Sequence, residues 1–241
     1  MSIVGNFDPE EAKQWIEQYF ADIPSATLPA PEDITEPVQQ EEKRFEKEDP
    51  LANKPAIAVA YHMPERNTTE YYAMGLLDQI LVQGNNSLLH KSLVKDKGFT
   101  GNVNGGINYL GNMFNYNGPM LWMFNLTHDA EVSADSIVAS VDEVLEDLQK
   151  SGVTQEMLDQ AVVKIRSQLY DNLGQFFGLG RADLLCSFAL FDDNPQRINE
   201  IEQEFKNITP EQINATIENY LRSTNRTILT VKPTAEEARN M

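Results

Sequence analysis

The three histidines, His62, His90 and His128, are the first residues to consider for metal chemistry. Zinc binding on one helix face needs two histidines three to five residues apart, and none of the three has such a neighbour. The nearest approach to the zinc motif H-x-x-E-H begins at His128, but Val132 stands where that motif needs its second histidine. The sequence therefore predicts no metal site in this chain.

Motifs for nucleophilic catalysis and phosphate binding are also missing. There is no Gly-x-Ser-x-Gly elbow, and no glycine-rich stretch carries the Lys-Ser/Thr that completes a phosphate loop. The single cysteine, Cys186, lies in an apolar helical pattern that indicates a small buried residue. Gly101, Gly105 and Gly106 lie in an Asn-rich stretch and are interpreted as points of tight or close backbone packing. No catalytic residue is predicted.

The net charge of the chain excludes some classes of binding partner. The 241 residues include 37 acidic and 19 basic side chains, which give a formal net charge of −18 at pH 7. Such a chain repels nucleic acid and anionic membrane surfaces, so neither is an expected partner. No run reaches the roughly 18 apolar residues of a membrane-spanning helix. We expect a soluble chain whose localisation is unknown, since any targeting signal would lie upstream of this chain.

Apolar periodicity predicts both strands and helices. A short strand at Ile3-Val4 precedes a helix that Asp8 caps and Pro9 begins. Further strands are predicted at 43–48, 56–63 and 227–231, with two or three more between 99 and 127; further helices are predicted at 69–82, 87–95, 133–150, 154–173, 180–191, 195–205 and 209–221. Because strands and helices are partly segregated, the predicted fold class is α+β, an antiparallel sheet with helices packed on one face.

The chain divides into four predicted segments. Residues 24–42 show neither period and hold four prolines, so they are interpreted as a linker. A strand followed by an acidic helix start occurs at 228–238 and again at 3–12. If this echo is a repeat and not a chance similarity, residues 1–23 are the terminal strand and helix of a preceding half-domain. The main domain is then 43–233, and 234–241 is a tail.

Three stretches occur in a recognisable order: residues 3–24 (from IVGNFDPEE to YFADIP), 76–99 (with LLDQIL, GNNSLL and LVKDKGF) and 151–161 (SGVTQEMLDQA). They resemble the segment before the second half-domain, the "iLgggxSsrLxxxLRexxgLaY" stretch and the "eGvteeELeraK" helix junction of the M16 family of zinc peptidases, the insulinase and mitochondrial processing peptidase group. The order and spacing of the three stretches extend across nearly the whole chain.

The resemblance implies a LuxS/M16 metallopeptidase-like half-domain, with two such halves facing each other around an unfolded peptide. The zinc and its H-x-x-E-H motif belong to the other, N-terminal half. This chain alone is therefore expected to be inactive and to bind no cofactor, whereas the full-length protein is expected to be a zinc-dependent endopeptidase. The expected partners are the catalytic half-domain, or a separate H-x-x-E-H subunit, and a peptide substrate, with dimerisation left open.

Second halves of the family often carry an Arg and a Tyr, seven residues apart, that hold the substrate. The matching positions here are Val94 and Gly101, neither of which has a side chain that can hydrogen-bond. Lys95 or Tyr109 are the candidate substrate-binding residues in their place, although each is also an ordinary residue for a helix end or a strand. Peptide is expected to contact residues 99–108.

Two functions stay open at this point. The chain is either the non-catalytic C-terminal half of an M16-like zinc metallopeptidase, forming one wall of a peptide-binding chamber, or a catalytically inactive peptidase-like partner or scaffold subunit. The departures at Val94 and Gly101 motivate the second hypothesis. A third class, a small-molecule binding domain, has no supporting motif in the sequence.

Overall fold

The computed structural model describes residues 1–30, 32–174 and 179–234. The helices are α1 (Pro9–Phe20), α2 (Thr69–Leu81), α3 (Leu88–His90), α4 (Ala134–Ser151), α5 (Gln155–Leu173), α6 (Leu179–Phe191), α7 (Ile201–Lys206) and α8 (Pro210–Tyr220). The strands are β1 (Lys43–Asp49), β2 (Ala56–His62), β3 (Asn104–Ile107), β4 (Leu121–Thr127) and β5 (Arg226–Pro233). The predicted α+β class is confirmed.

The five strands form one sheet in the order β1-β5-β2-β4-β3. The pairings of β5 with β2, β2 with β4 and β4 with β3 are antiparallel, as expected. Strand β1, however, pairs with β5 in parallel, with Lys43 opposite Thr227. The expectation of a purely antiparallel sheet is therefore wrong at this edge, because a period-two pattern does not specify the direction of the neighbouring strand.

The core lies between the sheet and the helices. Alternate residues of β2 and β4 face it as cross-strand pairs: Ile57 with Leu126, Val59 with Phe124 and Tyr61 with Trp122, all buried. Helix α2 lies in the middle of the helical layer, where it packs against α5, α7 and α8, and every residue from Tyr71 to Leu81 is buried. Within the part that the structure describes, no helix combines the length and apolarity needed to cross a bilayer.

Local capping signals place the helix starts where the sequence predicts them. The Asp8 carboxylate accepts hydrogen bonds from the backbone N–H of Glu10 at 2.8 Å and of Glu11 at 3.1 Å. At the start of α8, Thr209 and Gln212 form a reciprocal capping box. Both contacts need only residues that are neighbours along the chain, so they form wherever these short sequences become helical.

Three predicted elements differ in the structure. Ile3-Val4 is not a strand, since no described strand pairs with it. The stretch 87–95 begins as the three-residue helix α3 and continues as a π-helix, Lys91–Asp96. The two or three strands predicted between 99 and 127 are, by contrast, confirmed as two, β3 and β4, joined by a loop. The predicted helix 195–205 is a 3₁₀ turn, Pro195–Asn199, followed by α7, because the Glu200 N–H bonds to the Arg197 carbonyl three residues back.

The first 42 residues lie largely outside the core. Helix α1 has no buried residue, and residues 24–30 and 32–42 contain neither helix nor strand. The end of this segment is nevertheless fixed, because the buried side-chain amide of Gln39 donates to the carbonyl of Arg226 at 2.7 Å. The second half of the predicted echo, at 235–238, lies outside the described residues.

Candidate functional site

Strand β3 forms one edge of the sheet, and β4 is its only partner among the described strands. The Asn108 N–H donates to the Leu121 carbonyl. Since every second residue of an antiparallel strand bonds to the same neighbour, Gly106 also faces β4 with its backbone groups. Alternation then turns the backbone groups of Gly105 and Ile107 away from β4. The carbonyl of Gly105 accepts a hydrogen bond at 2.9 Å from the Gln83 amide at the end of α2. The Gly105 carbonyl is thus occupied, and the outward groups left for a further extended chain are the Gly105 N–H and the backbone groups of Ile107.

Gly105 allows this edge to lie close to β4. A Cβ built on Gly105 would lie 2.4 Å from the Met123 carbonyl oxygen and 2.7 Å from the Phe124 Cα. The predicted close packing is thus confirmed for Gly105. It is wrong for Gly101, whose Cβ would meet nothing within 4 Å. Gly106 is not closely packed, but its φ of 157° is a backbone conformation that favours glycine.

The loop between β3 and β4 is built from asparagines. The Asn108 side-chain amide donates to the Asn112 carbonyl at 3.0 Å and to the Asn115 side-chain oxygen at 2.8 Å. Asn108 itself has a left-handed backbone, with φ of 52°, which asparagine tolerates better than most residues. The next two residues, Tyr109 and Leu110, consequently project to the surface and are 55% and 99% exposed.

The predicted substrate-binding residues lie on two separate segments. Lys95 is exposed on the π-helix and has no hydrogen bond or ion pair within the described residues. Tyr109 is exposed at the start of the β3–β4 loop. No described contact joins the two side chains. At the matching family positions, Val94 packs against the core and Gly101 faces open space.

A cavity of about 800 Å³ lies beside β3, between α2, α5, α6 and the β3–β4 loop. Its apolar lining includes Ile107, Met113, Phe114, Ile165, Leu169, Leu184 and Phe205, and its polar lining includes Asp78, Gln79, Gln83, Asn112, Asn115, Gln168 and Asp183. The fully exposed Leu110 also lines it, so the cavity opens to solvent at the loop.

Asp78 is the buried carboxylate of this cavity. Its Oδ1 accepts a hydrogen bond from Trp122 Nε1 at 2.8 Å, and its Oδ2 accepts one from Gln83 Nε2 at 3.0 Å. Burial raises the pKa of Asp78 to about 6, although both hydrogen bonds oppose the rise. Sequence reasoning missed this residue. The available signal was a carboxylate between two pairs of apolar residues, Leu76-Leu77 and Ile80-Leu81, with Gln79 as the only other polar residue of that run.

Buried ionic contacts fix the loop that borders the cavity. Arg66 binds Asp192 through two hydrogen bonds, and its Nη1 also donates to the Phe114 carbonyl at 2.7 Å. The hydroxyl of Tyr71 donates to the carbonyl of Met113. These contacts hold the 113–116 part of the loop against α2 and α6, so the cavity wall is formed in the unliganded chain.

The three histidines lie on separate elements. His62 ends β2 with Nδ1 3.2 Å from Glu36, His90 is buried in α3, and His128 follows β4 with Nδ1 2.9 Å from the Asp129 carbonyl. In residues 1–30, 32–174 and 179–234, no group of three or more His, Cys, Asp or Glu could hold a metal ion. The residues present there do not fit zinc. Cys186, expected to be buried, is half-buried in α6.

Comparisons with a family model and with solved structures concern the sequence and the fold. A family model described as the peptidase M16 inactive domain matches residues 1–164. A protease from Helicobacter pylori has a TM-score of 0.80 at 18% identity, over 95% of this chain and 54% of that chain. The peptidase M16 inactive domain from Pseudomonas fluorescens has a TM-score of 0.76 at 22% identity, over 96% and 52%.

A third solved structure, the periplasmic protease PqqL from Escherichia coli, has a TM-score of 0.69 at 16% identity, over 96% of this chain and 25% of that chain. At these identities the structural likeness shows the fold. No curated protein matches the sequence. The chain spans about half the length of the first two solved structures and a quarter of the third.

Proposed function

Because the chain belongs to the peptidase M16 family, in the part described as the inactive domain, we propose that it is the non-catalytic C-terminal half of a zinc peptidase. In this proposal it forms one wall of a peptide-binding chamber. The observation that carries the proposal is the length relation. Nearly all of this chain matches only about half of each of two solved proteins, a protease and a peptidase M16 inactive domain.

Zinc, in this proposal, belongs to the N-terminal half, where it would activate water for peptide hydrolysis. The part of this chain that the structure describes does not fit the metal, because its histidines lie on separate elements. The contribution of this half is to bind and orient the peptide. Its edge strand β3 supports that role, since the outward backbone groups of Ile107 and the N–H of Gly105 can pair with an extended peptide.

The proposed contact between the halves includes residues 1–23. Trp15, Tyr19 and Phe20 on α1 are 53%, 69% and 48% exposed, and the helix has no buried residue. An apolar helix face of this kind is stabilised by packing against another surface. We propose that α1 packs against the preceding half-domain, with residues 24–42 as the linker to the domain formed by residues 43–233.

The test is zinc-dependent cleavage of an unfolded fluorogenic peptide by this chain combined with the H-x-x-E-H half-domain. We expect cleavage only when both halves are present, and its loss on zinc removal. Full activity of the H-x-x-E-H half alone would contradict the proposed chamber wall. Stable association of the halves without any cleavage would instead support the alternative, a peptidase-like partner or scaffold subunit without catalysis.

The candidate binding residues are tested in the same assay. Lys95→Ala and Tyr109→Ala are expected to raise KM for the peptide several-fold and to leave kcat little changed, since neither residue would touch the zinc. Tyr170→Ala is the matched control, because Tyr170 is 59% exposed on α5 and is not among the residues that line the cavity beside β3. An equal KM in all three variants would remove Lys95 and Tyr109 from the proposed site.

A further inference from the structure

We propose that the cavity beside β3 binds a cationic group, an ammonium or a guanidinium, carried on an aliphatic chain. The inference concerns a pocket inside this domain, so it holds whether or not the domain forms a chamber wall. The cavity volume of about 800 Å³ lies within the range of roughly 300–1,000 Å³ that is typical of ligand pockets.

The charges of the lining residues point to a cation. Asp78 and Asp183 contribute carboxylates, and the described residues that line the cavity include no Lys, Arg or His. The nearby Lys164 does not neutralise them, since its Nζ donates to the backbone carbonyls of Gln79 at 3.3 Å and Gln83 at 3.2 Å, at the end of α2. A buried carboxylate without a cationic partner gains most from a ligand that supplies one.

The hydrogen-bonding groups also favour a donor-rich ligand. Each oxygen of Asp78 accepts one bond from the protein and keeps a second lone pair. Gln79 lines the cavity, is 2% exposed, and its side-chain oxygen has no hydrogen-bond partner. Its amide nitrogen donates to Gln168 at 2.9 Å, which fixes the orientation of the group. Two consecutive residues of α2, Asp78 and Gln79, thus bring unused acceptors to the cavity.

The apolar lining fits the aliphatic part of such a ligand. Met113, Phe114, Leu184 and Phe205 offer methylene and ring surfaces against which a hydrocarbon stem would pack. The ligand chemistry is that of an arginine or lysine side chain, and equally that of a free alkylamine or alkylguanidine. The opening at Leu110 admits either one, because that residue lies fully at the surface.

The binding test uses the full chain and three probes that carry the same butyl group. Two are cations, n-butylguanidine and n-butylamine, and the third, n-butylurea, is the neutral isostere of the guanidine. Trp122 donates to Asp78, so its fluorescence reports on the site, and Trp15→Phe removes the signal of the second tryptophan. We expect at least one of the two cations to bind about tenfold or more tightly than the urea. Equal affinities for both cations and the urea would overturn the proposal.

Substitutions of the lining carboxylates test whether the cations bind in this cavity. Asp78→Asn, which keeps the shape of the side chain, is expected to weaken cation binding about tenfold or more, and Asp183→Asn several-fold. Asp159→Asn, an exposed carboxylate on α5, is the matched control and is expected to change nothing. Near-ultraviolet circular dichroism establishes that each variant is folded. If the Asp78→Asn variant fails to fold, cation binding by the Asp183→Asn variant is the test of the site. If the folded Asp78→Asn variant still prefers the cations over n-butylurea as strongly as the parent does, the proposed site is contradicted. The same result in Asp183→Asn contradicts it when Asp78→Asn does not fold.

A second comparison identifies the source of the cation. A capped tripeptide with a central arginine is measured against the same peptide with citrulline and against n-butylguanidine. Tighter binding of the arginine peptide than of n-butylguanidine supports a peptide side chain, and the reverse supports a free small molecule. An arginine peptide and a citrulline peptide of equal affinity, together with no preference for n-butylguanidine over n-butylurea, would exclude both sources.

Discussion

The guanidinium of Arg66 binds the carboxylate of Asp192 through two parallel hydrogen bonds, Nε to Oδ1 at 3.1 Å and Nη2 to Oδ2 at 3.0 Å. Both side chains are about 95% buried, and the residues are 126 positions apart. The rings of Phe188 and Phe191 lie 5.8 and 5.5 Å from the guanidinium. The pair therefore joins the segment just before α2 to the residue that follows the end of α6.

Breaking this pair should cost much of the domain's stability. Asp192→Asn leaves the buried Arg66 without its counter-charge, which typically lowers the free energy of unfolding by about 3–5 kcal/mol. Urea denaturation at neutral pH measures the change. Asp129→Asn is the control, because Asp129 pairs with Lys54 at 2.7 Å on the surface and should show little effect. Similar losses in both variants would contradict the special role of the buried pair.

The same pair predicts a pH dependence. Burial opposes ionisation of Asp192, but the hydrogen bonds from Arg66 and Asn67 outweigh it and lower the pKa below the ordinary value of 3.8. A lowered pKa stabilises the fold above the unfolded-state pKa, and the stabilisation is lost as pH falls through the folded-state pKa. The stability difference between the parent and Asp192→Asn should therefore shrink below about pH 4. A constant difference down to acid unfolding would be the contrary result.

Asp78 should contribute in the opposite direction. Its pKa is raised from 3.8 to about 6, so the folded chain binds more protons than the unfolded chain between these values. Stability then falls as pH rises from about 4 to 6, by about 2 kcal/mol for this residue. Asp78→Asn should remove that slope in urea denaturation across this range, whereas Asp159→Asn should retain it. An unchanged slope in Asp78→Asn would show that the residue is ionised without penalty.

Gly105→Ala tests the close approach of β3 to β4. The new Cβ would overlap the Met123 carbonyl, so we expect a loss of about 1–3 kcal/mol, the usual range for overpacking. Hydrogen exchange at the Asn108 amide, which bonds to β4, should become faster. Gly101→Ala places the same methyl group in open space and should leave both measurements unchanged. Protection at Asn108 as strong as in the parent would contradict the predicted overlap.

Trp15→Ala tests the proposed contact of α1 with the other half-domain. In the isolated chain the substitution should hardly change stability, because Trp15 is half-exposed. In the two-half assembly it should weaken association about tenfold or more, as expected for a buried interface tryptophan. Glu17→Ala, on the opposite side of the same helix, should not. Calorimetric titration of the two halves provides the comparison, and equal affinities would place α1 outside the interface.

Local sequence patterns predicted most of the helices. The starts of α1 and α8 followed from Asp8 and Thr209, because capping bonds join residues two or three positions apart. The buried strand β2 was predicted from its run of apolar residues, which is also a local pattern. The break in the predicted helix 195–205 did not, since it depends on a backbone bond between Arg197 and Glu200 that propensity does not specify.

Long-range features were outside the reach of these patterns. The parallel pairing of β1 with β5 joins Lys43 to Thr227, and nothing in either strand specifies its neighbour. The site was predicted only in part. The edge at residues 104–107 falls within the stretch expected to contact peptide, but the cavity needs α2, α5, α6 and a loop together. Asp78 was missed because its partner Trp122 lies on a different element.

The position of β5 has a consequence for synthesis of the chain. This strand, the last described along the sequence, lies between β1 and β2, and so it supplies the neighbours of both. While a ribosome is still translating residues 134–220, β1 has no sheet partner and β2 has one exposed edge. The sheet is complete only after residue 233 leaves the exit tunnel. A nascent chain stalled before Arg226 would therefore present one unpaired strand, β1, and one open edge of β2, the kind of surface that chaperones bind.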